Sequence, residues 1–237
     1  MSEANVRRRV WLALAPAMVL PSLAAVFYFV LLRDSLAAQI VYASKKAFIV
    51  VWPLVCGRFV LRTGFPRIEI RHPRHIRAVP VGVLLGLVIV GAMFAALQTP
   101  LGSVVEAAAE PLKSKAQELG FLNYFWPFAL FLSLVNSLLE EYYWRWFVFG
   151  RLRRVVRTTL AHVLAGAAFA SHHVIMLSQF FPLQWALVLG GFVGLGGVIW
   201  SLLYDRQETL AGTWVCHLAV DLGIMCVGHH LLFGTYL

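Results

Sequence analysis

Charge is scarce in this sequence. Of 237 residues, 13% are charged and 60% are apolar or aromatic, and the mean hydropathy is +0.77. A water-soluble domain of this length must cover its surface with polar groups, so the composition excludes one. A chain whose outer surface meets lipid has no such need. Cysteine is scarce too. Cys56, Cys216 and Cys226 lie in apolar stretches, show no disulfide or metal spacing, and read as packed thiols. There is no repeat, low-complexity tract or Gly/Ser linker, which implies one integral membrane domain over 1–237. Eleven acidic residues face twenty Lys and Arg, for a net charge of +9. Nucleic acid is nevertheless excluded as a partner, because the basic residues sit between hydrophobic runs rather than on one soluble face.

Long hydrophobic runs are what the chain has instead. A membrane-crossing helix needs about 20 apolar residues. Seven stretches qualify: 10–32, 40–61, 78–98, 124–149, 160–180, 183–204 and 209–234. The expected fold is therefore all-α, a polytopic transmembrane helical bundle of about seven spans. A break in the last run near Gly223 or Gly228 would leave room for an eighth. The stretch 102–122, "GSVVEAAAEPLKSKAQELGFL", is the one sizeable polar loop, expected to lie on the outer surface as a short helix or two. With the N-terminus in the cytoplasm, thirteen Lys and Arg fall on that side, including Arg7 to Arg9, Arg62, Arg67, Arg71, Arg74, Arg77 and Arg151 to Arg157, against three outside, Arg33, Lys113 and Lys115. The asymmetry predicts N-in and C-out. The first run is too long for a signal-peptide core and reads as an uncleaved helix.

Several spans carry ionisable groups that are costly in lipid, roughly 2.5–3.5 kcal/mol each at mid-helix. The fourth has Glu140, Glu141 and Arg145, the fifth His172 and His173, and the seventh His217 and Asp221. Such groups face a bundle interior and pair with one another. Glu141 and Arg145 are four apart and share a face, which suits an ion pair. Glu140 points about 100° away, on a stripe with Ser133, Asn136, Ser137 and Trp144, so its partner should come from another helix. Phe169 and His173 share a face. Thr213, His217 and Asp221 form another stripe, in which Asp221 can fix the His217 tautomer. Small residues through the fifth span and "GGFVGLGG" (190–197) in the sixth read as close-packing surfaces. Lys45 and Lys46 snorkel or face a polar groove, with a role in holding a substrate carboxylate as an alternative. His72 and His75 belong to a basic loop facing lipid headgroups, and His229 and His230 to the outer interface.

A carboxylate with imidazoles in a wet pocket can activate water for hydrolysis. The same residue types can ligate a metal, although no His-Glu-x-x-His occurs and no Glu follows any histidine directly. Ser171 beside His172 and Cys216 beside His217 are poor nucleophile–base pairs, since helix neighbours do not face each other.

"EEYYWR" (140–145), "FASHH" (169–173) and "HLAVD" (217–221), in that order on successive apolar segments, resemble the three motifs of the CPBP family. These are the CAAX proteases and bacteriocin-processing (ABI) enzymes, including the Rce1-like prenyl-protein endopeptidases. The resemblance covers about 120–234, with 1–122 as variable N-terminal helices and 123–234 as the motif-bearing core. It implies a glutamate-type intramembrane endopeptidase that needs no metal or other cofactor. Glu140 with His173 would activate the attacking water, and His217 with Asp221 would stabilise the oxyanion. Glu141, Arg145 and Phe169 would support the site. Position 221 is Asp where prenyl-protease members have Asn; an ionised Asp cannot donate to an oxyanion. The implied substrate is a protein or peptide, with or without a C-terminal membrane anchor or lipid, and membrane lipids are the other partners. The short, arginine-heavy chain suits a bacterial cytoplasmic (inner) membrane. Two alternatives stand beside this one: a non-catalytic membrane protein that binds a partner or peptide toxin, and a metal-dependent membrane protease.

Overall fold

The computed structural model describes residues 2–33, 35–63 and 73–234; the loop positions Arg67, Arg71 and His72 lie outside them. The described residues contain helices and no strand. Seven helices are long and apolar enough to cross a membrane: α1 (Glu3–Leu31), α2 (Leu36–Val60), α3 (Pro73–Leu97), α6 (Leu122–Leu152), α7 (Thr158–Leu177), α8 (Leu183–Gln207) and α9 (Leu210–Phe233). Between α3 and α6 the polar loop forms two short helices, α4 (Leu101–Glu106) and α5 (Ala109–Glu118). Each expected span coincides with one long helix. Several helices overrun their apolar run, because backbone hydrogen bonding rather than apolarity ends a helix. Helix α9 is unbroken from Leu210 to Phe233, so no eighth segment exists among the described residues. Gly223 does not break it. It is buried against Val90 and Met93, where a Cβ would stand 3.0 Å from Met93 Cε.

The chain divides into two compact units, 1–70 with 139–206, and 71–138 with 207–237. In the first, α1, α2, the end of α6, α7 and α8 pack together. Pro21 lies inside α1 and has no N–H to give the Ala17 carbonyl one turn back. The Tyr143 hydroxyl takes the vacant place, donating to Ala17 O at 2.8 Å, and so bolts α6 to α1 in the core. Ser35 caps α2, accepting from Ala38 N at 3.2 Å. Helices α7 and α8 meet through small residues: a Cβ at Gly194 would stand 3.2 Å from Ala170 Cβ. Close backbone approach of this kind is how helices associate in lipid.

In the second unit α3 and α9 pack almost backbone to backbone. A Cβ on Gly82 would lie 2.2 Å from Gly212 O, so only glycine fits at 82. At the same end His75 Nδ1 meets Thr209 Oγ1, and Thr209 caps α9. His75 thus joins two helix starts, and Arg74 pairs with Glu208 at 3.0 Å. At the other end His229 stacks on Trp126 (5.1 Å between ring centroids) and contacts Phe125 and Phe233. The three cysteines are free thiols, two of them buried.

Candidate active site

The acidic pair lies in a short regular stretch of α6, Ser137–Glu141, between two π-helical stretches, Leu132–Asn136 and Tyr142–Phe149. A π stretch bonds i to i+5 and recurs at functional sites. The i,i+4 relation of Glu141 to Arg145 nevertheless holds across the junction. Trp144, four residues past Glu140, is buried, lies flat against His172 (5.8 Å, 7°) and meets Phe169 edge-on at 5.7 Å.

Glu140 is 9% exposed. One ligand-type atom each from Glu140, His172 and His173 falls within 4.8 Å of the others. The F-x-x-x-H spacing selects His173, yet both imidazoles converge on the carboxylate. Neighbouring side chains diverge at the backbone, but these two rings swing together, their centroids 4.1 Å apart at 43°. His173 Nδ1 lies 3.0 Å from Phe169 O. A carbonyl only accepts, so Nδ1 donates and Nε2 of the neutral ring holds the lone pair. Phe169 thus does two things: its carbonyl orients His173, and its ring packs against Trp144.

Glu141 and Arg145 form an ion pair, Oε2 to Nε at 3.4 Å, with side chains 0% and 1% exposed. The Arg145 guanidinium also lies over the rings of Phe169 (4.7 Å) and Trp200 (5.0 Å). A buried charge is tolerable only when paired and enclosed by favourable dipoles. The pair therefore connects α6 to α7 and α8 directly beneath the histidines.

The lysines of α2 belong to the same neighbourhood. Lys45 and Lys46 are half-buried. Lys46 Nζ sits 5.5 Å from the Tyr42 ring centroid. The register of α2 is fixed one turn further on, where Tyr142 Oη donates to Val50 O at 3.3 Å and Phe48 meets Tyr143 at 6.3 Å.

His217 and Asp221 lie on α9, in the second unit. His217 is buried, and its Nε2 is 3.5 Å from Asp221 Oδ1. The Thr213 hydroxyl, on the same stripe, is turned back to Leu210 O at 3.0 Å. Trp214 Nε1 donates to Leu134 O at 3.0 Å, fastening α9 to the first π stretch of α6. Another ionisable cluster carries no motif signal. His162 stacks on Phe149 at 4.5 Å and lies 3.9 Å from Asp205, which also binds Arg153. A histidine followed at long range by an acid on another helix leaves no spacing to detect.

No curated protein and no solved structure matches the chain. A family model does. The match runs over residues 122–223 and takes in Glu140, Glu141, Arg145, Phe169, His172, His173, His217 and Asp221. The model is that of the type II CAAX prenyl endopeptidase Rce1-like proteins, so this stretch of the chain is similar to the Rce1-like domain of the CPBP family.

Proposed function

We propose that the protein is an intramembrane endopeptidase that cuts a peptide bond near the C-terminus or membrane-proximal part of a protein or peptide substrate, using water activated by Glu140 and His173. The family is one of proteases that act on proteins in membranes. One observation carries the finer reading: a nearly buried carboxylate converges with two imidazoles on helices long and apolar enough to cross a membrane.

The chemistry follows from the donors and acceptors. An ionised Glu140 accepts a proton from water, and the lone pair on His173 Nε2 accepts the other hydrogen bond, which aims the oxygen at a carbonyl carbon. Attack produces an oxyanion, and the proton held by Glu140 passes to the leaving amine. His217 with Asp221 stabilises the oxyanion. The 3.5 Å approach of Nε2 to Asp221 supports this division of labour: an ionised Asp221 accepts from Nε2 and favours the imidazolium, whose Nδ1–H is then the donor to the oxyanion. Glu141 and Arg145 hold the frame.

The convergence of Glu140, His172 and His173 also favours a second reading, a metal held by these three residues, which would supply a Lewis acid and an activated water. The two readings separate in one experiment. The purified protein in lipid is given membrane-anchored reporter peptides, and products are read by mass spectrometry. Glu140→Gln and His173→Ala are expected to fold and not cut, with cleavage by the parent protein indifferent to a strong chelator. Loss of cleavage with chelator and recovery with zinc favours the metal. Full cleavage by Glu140→Gln removes the proposed mechanism.

A further inference from the structure

Away from the acid–histidine cluster, at the arginine-rich end where the charge rule puts the cytoplasm, the first unit contains a cavity of about 240 Å³. Among the described residues four arginines line it, Arg7 and Arg9 from the first turns of α1, Arg151 from the end of α6 and Arg154 from the turn that follows, with Glu3 the one acidic side chain. A basic helix end in a membrane protein is ordinarily a solvated topology signal. This one is built differently. Arg151 is 8% exposed, and its Nε is buried with no hydrogen-bond partner, as is Arg9 Nη1. Its planar face is supported by Trp146, 5.4 Å from Cζ to the ring centroid. Buried guanidinium N–H groups without an acceptor are costly, and an arginine cluster with four donating forks is the arrangement that takes a phosphate oxygen bidentately. Val10 and Leu61 supply an apolar part of the same wall, which a free inorganic anion does not need.

We propose that this cavity is a binding site for the phosphate of an anionic phospholipid in the arginine-side leaflet, with the upper acyl chain against Val10 and Leu61. The phosphate oxygens take up the open donors of Arg151 and Arg9, and the lining's net positive charge prefers an anionic headgroup to a zwitterionic one. The site joins α1 to α6, so its occupant stabilises the first unit by mass action.

The test uses the full-length protein in detergent. Native mass spectrometry and thermal unfolding are followed during titration with phosphatidylglycerol, phosphatidylcholine or inorganic phosphate. Three variants are compared: Arg151→Gln, Arg9→Gln and Arg8→Gln. Arg8 is exposed and does not line the cavity, so its variant removes the same charge from the same helix end. The expected result is one saturable phosphatidylglycerol site, weakened about tenfold or more in Arg151→Gln and Arg9→Gln, the usual worth of a charge-assisted hydrogen bond, and unchanged in Arg8→Gln. Should Arg151→Gln fail to fold, the contrast of Arg9→Gln with Arg8→Gln decides alone. Equal losses in the Arg9 and Arg8 variants show a diffuse field and overturn the proposal. So does phosphatidylcholine binding as tightly as phosphatidylglycerol, or inorganic phosphate binding as tightly as the lipid.

Discussion

Removing Arg145 should be among the most damaging single changes in this protein. Its guanidinium is 1% exposed, 3.4 Å from a Glu141 carboxylate that is fully buried, and enclosed by the Phe169 and Trp200 rings. In Arg145→Met the volume is roughly kept, but the buried Glu141 carboxylate loses its ion pair. Breaking one side of a buried pair costs about 3–5 kcal/mol, and two desolvated cation–π contacts add on the order of 1–2 kcal/mol. Adding Glu141→Gln removes the stranded charge, so the double variant should recover most of that loss and stay within about 2 kcal/mol of the parent. Equilibrium unfolding in mixed micelles measures all three variants. The double variant has a further consequence. Phe169 loses the cation over its ring, and its carbonyl is what orients His173. A folded Glu141→Gln/Arg145→Met protein should therefore show a lowered kcat with KM nearly unchanged. A cost below about 1 kcal/mol for Arg145→Met, or a double variant as unstable as the sum of the two singles, would refute the reasoning.

Three further outcomes are expected. Tyr143→Phe leaves the Ala17 carbonyl beneath Pro21 without its donor and should cost about 1–3 kcal/mol in unfolding experiments, while the folded fraction keeps its turnover. Gly82→Leu places a side chain where a Cβ alone would stand 2.2 Å from Gly212 O; size-exclusion profiles in detergent should show loss of folded protein, whereas Gly91→Leu, where a Cβ meets nothing within 4 Å, should be tolerated. Against a cleavable membrane peptide, His173→Ala should lose about a hundredfold or more in kcat, and His172→Ala, which removes a ring stacked on Trp144, should lose less; the reverse order would assign the water to His172.

Much of the fold was legible because lipid imposes a simple rule. About 20 apolar residues make a span, and all seven long helices follow it. The Glu141–Arg145 pairing could be read from its four-residue spacing, which survives although Arg145 lies in the second π stretch. The change of helix type could not be read. The π stretches at Leu132–Asn136 and Tyr142–Phe149 have no composition signature, and they change which residues face together. His172 was set aside on spacing, but ring rotation at the end of a flexible bond brings it to Glu140 beside His173. The placement of α2, and with it Lys45 and Lys46, depends on its register against α6, which is set by Tyr142 and Phe48. Neither of those contacts follows a sequence spacing. The Pro21–Ala17–Tyr143 arrangement likewise joins residues more than a hundred positions apart.

The central claim is that the carboxylate at 140 serves as the base for water. Glu140→Gln preserves shape and removes only the charge, so turnover of a membrane-anchored peptide by the purified, folded variant tests it most directly. The account predicts a fall of about a hundredfold or more with the thermal transition retained; turnover equal to the parent's would contradict it.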